Sequence, residues 1–487
     1  MHFLGRENEL ESLKLLLDKQ SASIVACRGR RRIGKSTLIR EFARRNELAF
    51  VNIDGLAPQP KQTNHDQLVN FILKLSQQTG YSGSVPENWF KAFKALDSSI
   101  DDSRWTVVLL DEISWMGKHD PDFAGYLKSA WDNDLKYHDR LILVVCGSVS
   151  TWINKNLLDK AEFGGRFSRD IFLRELPLDL CTSFWGEKAA SLPTREIVDV
   201  LAVTGGVPRY LEEVNPRLSA DENIKRLCFH RDGPLFKEFS GLFSEVFGET
   251  SKMKGDILRL LVDGPMACAE IAKNLGQVRG GGLTSVLQEL EDAGFVSSDK
   301  GYNPETGKRA RQGFYRLSDN YVRFFLKYVN PNIDAIRNGQ YEFIALSMLP
   351  GWDKMLGLAF ENLVVNHVVS LLPKFHLQGV PILSAVPYIR KGGRTGARGV
   401  QIDLLIQTRR SVHVIEVRHR QEIGEEVEAD VRAKCMKLKL PANVALRTGL
   451  VYDGRLDPVV RGNAYFDVIL SSREMIGLLA RGGWLVR

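Results

Sequence analysis

The sequence predicts an α/β protein of several domains: a parallel sheet covered by helices, a helical segment, a three-helix module with a hairpin, and a second mixed α/β module. Three observations carry this reading. Across residues 1–177 short apolar runs alternate with helical or polar stretches, the pattern of a parallel sheet buried on both faces. From 178 to 245 helical patterning takes over. The chain has 487 residues, too many for one hydrophobic core, so its length asks for two to four domains. A composition of 44% hydrophobic and 26% charged residues fits a soluble globular protein. No run of about 18 apolar residues occurs, and residues 1–20 alternate charged and apolar positions. The expectation is a cytoplasmic chain with no membrane segment. The six cysteines form no CxxC pair, which argues against a zinc site or a disulfide framework.

In the first part, strands are predicted at 23–27, 48–53, 105–110, 141–146 and 170–173. Between the first strand and the helix that follows it stands Gly29-Arg30-Arg31-Arg32-Ile33-Gly34-Lys35-Ser36. Gly29 and Gly34 lack a Cβ, so backbone N–H groups can approach a triphosphate closely. Lys35 brings a compact positive charge to the β- and γ-phosphates, and the Ser36 hydroxyl is a Mg²⁺ ligand. The helix that begins Lys35-Ser36-Thr37 aims the positive end of its dipole at the phosphates.

The strand at 105–110 runs into Asp111-Glu112, two carboxylates at the edge where ligands sit in open parallel sheets. Asp111 would hold Mg²⁺ through its water shell, and Glu112 would polarise the attacking water. Ser148, just past the fourth strand, is a candidate γ-phosphate sensor. Arg166 and Arg169, before the fifth strand, are candidates for a transition-state arginine donated to a neighbouring subunit. In the helical segment Gly205-Gly206-Val207-Pro208-Arg209-Tyr210 makes a tight turn into a helix, from which Arg209 could reach phosphate.

These motifs, together with the opening Phe3-Leu4-Gly5-Arg6-Glu7-Asn8-Glu9-Leu10, resemble the archaeal-type P-loop ATPases of the AAA+/STAND group. The resemblance implies that Gly5 and Arg6 lie near the adenine, that residues 178–245 form a helical lid, and that copies assemble into a ring or cluster.

Residues 246–332 read as a winged helix-turn-helix. Helices are predicted at 253–261, 268–275 and 282–293, with wing strands at 295–298 and 314–317. The third helix, in recognition position, contains no basic residue and carries Glu289, Glu291 and Asp292, a composition that phosphates repel. The wing loop, with Lys300, Lys308, Arg309 and Arg311, is the better surface for DNA.

From Asn338 to Arg487 there are 20 Lys and Arg against 14 Asp and Glu, nearly the whole of the chain's +7 net charge. Arg390, Lys391, Arg394, Arg398, Arg409, Arg410, Arg418 and Arg420 cluster there, which suggests a nucleic-acid partner. Three acids stand out: Glu361, Asp403 and Glu416. Strands at 386–389, 401–406 and 412–417 would hold Asp403 and Glu416 on a hairpin, a hard-oxygen pair suited to Mg²⁺ or Mn²⁺. This order resembles the PD-(D/E)xK nuclease-like domain, of restriction-endonuclease-like α/β fold, that follows the ATPase in the same family. Asp403 and Glu416 match its metal-binding acids, and Glu361 the acid of its leading helix. Arg418 stands where the family has lysine, and arginine stays charged where lysine can give up a proton.

The sequence therefore predicts an ATPase core (1–177), a helical lid (178–245), a winged helix-turn-helix (246–332) and a nuclease-like domain (338–487). The leading expectation is a Mg²⁺-dependent ATPase acting as a switch or motor for a nucleic-acid-engaging domain. Two alternatives accompany it: an ATP-gated metal-dependent DNA nuclease acting in defence, and an ATP-sensitive DNA-binding regulator.

Overall fold

The computed structural model describes residues 3–148, 150–239, 251–277, 280–310, 313–392 and 399–478. Arg311, Arg394 and Arg398 lie outside the described residues. The chain divides into two compact units between Arg174 and Glu175.

The first unit is built on five parallel strands, β1 (Ser23–Gly29), β2 (Ala49–Asp54), β3 (Thr106–Asp111), β4 (Leu141–Gly147) and β5 (Phe167–Leu173), in the order β2-β3-β4-β1-β5. Helices cover both faces, which is why the central strands are apolar at nearly every position. Alternate side chains feed two cores. Ile24, Ala26, Val108, Leu110, Leu143 and Val145 pack with Phe71, Trp89, Phe93 and Phe123. Val25, Cys27, Val107, Leu109, Ile142 and Val144 pack with Leu38, Ile39 and Phe42 on the other side. The Trp89 ring meets Phe123 edge-on at 4.7 Å and Phe71 at 5.5 Å, fixing the helices Asn64–Thr79 and Trp89–Asp97 to the sheet. Because β1 lies between β4 and β5, its C-terminal loop opens beside the tips of both, and β3 is one strand further along.

The second unit opens with helices that include Thr194–Thr204 and Ala220–Cys228. Three more follow, Ser251–Leu260, Cys268–Asn274 and Gly281–Asp292, with an antiparallel sheet of β6 (Met266–Ala267), β7 (Val296–Asp299) and β8 (Phe314–Leu317) in the order β6-β8-β7. The helix Gly281–Asp292 buries Leu283, Leu287 and Leu290. Two of its acids are occupied at home: Glu289 pairs with buried Lys254 at 2.8 Å, and Glu291 accepts the Ser298 N–H at 3.2 Å.

The rest of this unit is a five-stranded mixed sheet of β9 (Ile382–Arg390), β10 (Val400–Thr408), β11 (Ser411–Ile423), β12 (Ala445–Leu456) and β13 (Val468–Ser471), ordered β13-β12-β11-β10-β9. β9, β10 and β11 pair antiparallel, and β11, β12 and β13 pair parallel. The parallel step from β11 to β12 needs a crossover, supplied by the helix Glu426–Cys435. β12 and β13 were not among the strands expected. The helix Trp352–Asn366 packs on β11 and also holds the three-helix module. Asn362 Nδ2 donates to Leu317 O and to Asn320 Oδ1, both at 2.9 Å, and Asn366 Nδ2 donates to Ser318 O at 2.9 Å.

Candidate functional site

The loop between β1 and the helix Lys35–Arg45 takes its shape from two glycines. At Gly29, φ is 142° and a Cβ would stand 2.6 Å from the Leu173 carbonyl oxygen of β5, so a side chain fits neither the backbone nor the space. Gly34 caps the helix in the left-handed region, with φ 94°. Lys35 is buried, and its Nζ folds back to donate to Gly29 O at 3.1 Å and Arg30 O at 3.2 Å. Thr37, in the first turn of the same helix, is exposed.

The β3 tip delivers both expected carboxylates to this loop. Ser36 Oγ donates to Asp111 Oδ2, and Asp111 Oδ1 accepts the Glu112 N–H at 3.0 Å. A hydroxyl and a carboxylate side by side, close to a buried ammonium, are the hard oxygen donors that a nucleotide-bound magnesium ion takes, so these residues fit that ion. Glu112 sits in the left-handed region, φ 48°, which turns its side chain toward β4. There Oε2 accepts from Ser148 N–H at 2.9 Å and from Ser148 Oγ at 2.8 Å. Burial raises the Glu112 carboxyl above its ordinary range, against the pull of Lys35 and the Ser148 donors. Ser148 therefore grips Glu112, a pairing the sequence reading did not anticipate.

Gly5 and Arg6 are consecutive left-handed residues, φ 69° and 68°. The Arg6 guanidinium bridges Arg174 O at 2.5 Å and Ile33 O at 3.5 Å, tying the opening segment to the loop and to the end of β5. Arg166 spends its fork on Asp132, with Nε at 2.7 Å and Nη2 at 2.9 Å, which draws the Asp132 carboxyl down to about 2. Arg169 bonds Ser12 Oγ at 3.2 Å and Ser168 O at 2.8 Å. Arg209, in the second unit, pairs with Glu212 and Glu213, each at 2.9 Å. The adjacent glycines answer to packing: a Cβ on Gly205 would lie 2.5 Å from Glu175 Oε1, and one on Gly206 2.6 Å from Leu176 O.

In the second unit Glu361, Asp403 and Glu416 are brought into one electrostatic neighbourhood. Burial, then Asp403, pushes the Glu361 carboxyl up to about 8. Asp403 Oδ2 accepts the Val417 N–H at 3.0 Å, and Glu416 is fully buried. Among the described residues no group of three His, Cys, Asp or Glu side chains is placed to hold a metal ion. Beside Glu416 stands a residue the sequence reading missed. Lys434, on the helix Glu426–Cys435, donates to Glu416 Oε1 at 2.7 Å and Oε2 at 2.6 Å, while Arg418 Nη2 lies 2.6 Å from Oε1. Eighteen residues separate the lysine from its partner, so no local spacing announces it.

Residues 3–214 match the family model described as "ATPase domain predominantly from Archaea". The chain is 24% identical over 407 residues to an uncharacterised protein of Methanocaldococcus jannaschii, covering 83% of this chain and 84% of that one. Among solved structures it is similar to a Walker-type ATPase of Pyrococcus abyssi (17% identity, 66% of this chain, 96% of that chain, TM-score 0.45). A second is the ORC2 protein of Aeropyrum pernix in ADPNP–ADP complexes (15% identity, 69% and 95% coverage, TM-score 0.41). With the nucleotide loop, Asp111 and Glu112 all inside the matched span, residues 3–214 are an ATPase domain of archaeal type.

Proposed function

We propose that the chain is a Mg²⁺-dependent ATPase whose nucleotide cycle acts as a switch or motor for a second unit that engages nucleic acid. The observation that carries this is the convergence of Lys35, Ser36, Asp111, Glu112 and Ser148 at one sheet edge. Backbone N–H groups of the loop and the Lys35 ammonium bind the triphosphate, and the helix dipole adds to their field. Magnesium, when bound beside Ser36 and Asp111, neutralises phosphate charge. Glu112 orients the attacking water and accepts its proton, and its raised pKa makes it a better acceptor than an exposed glutamate. Ser148 fixes which way Glu112 faces. Gly5 and Arg6 lie toward the base, and a neighbouring copy in a homo-oligomer supplies Arg166 or Arg169.

The second unit then comprises a helical lid, a winged helix-turn-helix and a nuclease-like domain. Exposed Lys391, Arg409, Arg410 and Arg420, with Lys300, Lys308 and Arg309 of the wing, supply the phosphate contacts. The test is ATP hydrolysis with and without DNA or RNA, alongside binding measured over a salt series. Stimulated hydrolysis and salt-sensitive binding are expected. Full ATP affinity in a Lys35→Ala chain would sink the nucleotide reading, and nucleic-acid binding unaffected by salt would sink the second part.

A further inference from the structure

A divalent ion takes hard oxygen ligands, and a carboxylate serves only where its oxygens are free to turn to the ion. In the second unit both oxygens of Glu416 and one of Asp403 are otherwise engaged. Glu416, on the central strand β11, is wholly buried, and the Lys434 ammonium grips both of its oxygens. Arg418 stands on Oε1 as well and reaches Asp430 at 3.2 Å. Asp403, on β10, turns Oδ2 to the Val417 N–H. Asp403 and Glu361 line a small pocket together with Arg316 and Arg323. Arg323 is fully buried and donates to the carbonyls of Leu261, Val262 and Leu317. Fixed cations of the chain thus stand by these acids, Lys434 and Arg418 on Glu416 and Arg316 and Arg323 in the pocket that Asp403 and Glu361 line. A lysine ammonium is a compact point charge with three donors, and its hold on both oxygens of one carboxylate resembles the bidentate contact of a metal ion.

We infer that Lys434 is the resident cation of this site, filling the place that a divalent metal ion takes in metal-dependent nucleases, so that the module works without one. The inference stands apart from the nucleotide reading, because it concerns nucleotide-free protein. Arginine at 418 agrees with it, because arginine stays charged and cannot deprotonate a nucleophile, and the Lys434 amine is committed to Glu416. Removing the Lys434 charge would leave Glu416 buried with Arg418 on Oε1 alone and Oε2 without its cation, an arrangement that favours a replacement cation.

The experiment is thermal unfolding of the nucleotide-free, full-length chain in EDTA and in millimolar Mn²⁺. The wild-type midpoint is expected to be the same in both. Lys434→Gln should melt lower in EDTA and recover in Mn²⁺, a recovery absent from the Lys434→Gln, Asp403→Asn double variant. Lys434→Arg, which keeps a cation, should ignore Mn²⁺. A wild-type Mn²⁺ shift abolished by Asp403→Asn would overturn the inference, as would a Lys434→Gln chain that Mn²⁺ fails to recover. If Lys434→Gln does not fold, the comparison of wild type with Asp403→Asn still decides the matter. Wild-type cleavage of plasmid DNA that depends on Mn²⁺ and is lost in Asp403→Asn would also overturn it.

Discussion

Ser148 donates twice to Glu112, through its backbone N–H at 2.9 Å and its hydroxyl at 2.8 Å, both to the same oxygen. This holds because β3 and β4 are neighbours, so the residues just beyond their tips meet. A hydrogen bond to a charged group contributes about 1.5–3 kcal/mol. Ser148→Ala should therefore lower kcat for ATP hydrolysis by about 10- to 100-fold with little change in KM, read from steady-state kinetics. The same change removes a donor that favours the ionised carboxylate. The acid limb of the pH–rate profile should move to higher pH, because Glu112 must be deprotonated to accept a proton. An acid limb that stays in place would separate Ser148 from this role.

Lys35 and Glu112 should fail in different ways. Lys35→Ala removes the one buried ammonium at the loop and should weaken nucleotide binding by roughly 100-fold or more, measured by calorimetry. Glu112→Gln keeps the Ser148 contact geometry and should bind ATP normally while losing about 10²- to 10⁴-fold in turnover. Equal loss of binding in both variants would argue against the division of labour proposed.

Arg166 and Asp132 form a two-pronged pair that is about one quarter exposed on each side, at 28% and 24%. Arg166→Ala should lower stability slightly, as expected of a surface pair, measured by urea unfolding. Asp132 is held down to about 2 by Arg166. Its contribution is present above the unfolded carboxylate value and is lost as pH falls toward 2. The stability gap between wild type and Arg166→Ala should shrink on acidification. A kcat defect in Arg166→Ala that follows protein concentration would instead reveal a role across a subunit boundary.

His138 lies between Asp102, 2.6 Å from Nδ1, and Asp97, 2.9 Å from Nε2. Burial opposes its charge, but the two carboxylates prevail and raise its pKa. A raised folded pKa gives stability that is complete below the unfolded value and disappears as pH rises through the folded one. The melting temperature of His138→Gln should fall furthest below wild type near pH 5.5 and approach it near pH 8.5, the two sides of the ordinary histidine pKa of about 6.5. A gap independent of pH would mean that packing, and not charge, is what the ring supplies.

What could be read from the sequence was what is local in it. All five strands of the first sheet were anticipated to within a few residues, since each carries a short apolar run, and the nucleotide loop is contiguous with its strand and helix. β12 escaped notice because Gly449, Gly454, Arg447 and Arg455 interrupt it and its first residues are exposed, so it shows neither alternation nor an apolar run. The contacts that define chemistry were less visible. Glu112 meets Ser148 across 36 residues and Glu416 meets Lys434 across 18, distances that only strand order and a crossover helix close. The acids of the second unit were found individually. Their neutralisation by lysine was hidden in a helix whose alternating charges look like an ordinary solvated face.

The bridge from Arg6 to the Arg174 carbonyl spans 168 residues of chain. A ribosome adds roughly 5–20 residues per second, so the arginine waits on the order of 8 to 34 s for its acceptor to be synthesised. Throughout that interval the loop's residues exist, yet the latch across the end of β5 does not. The newborn chain therefore cannot tie its opening segment to the sheet until the end of the fifth strand has left the exit tunnel.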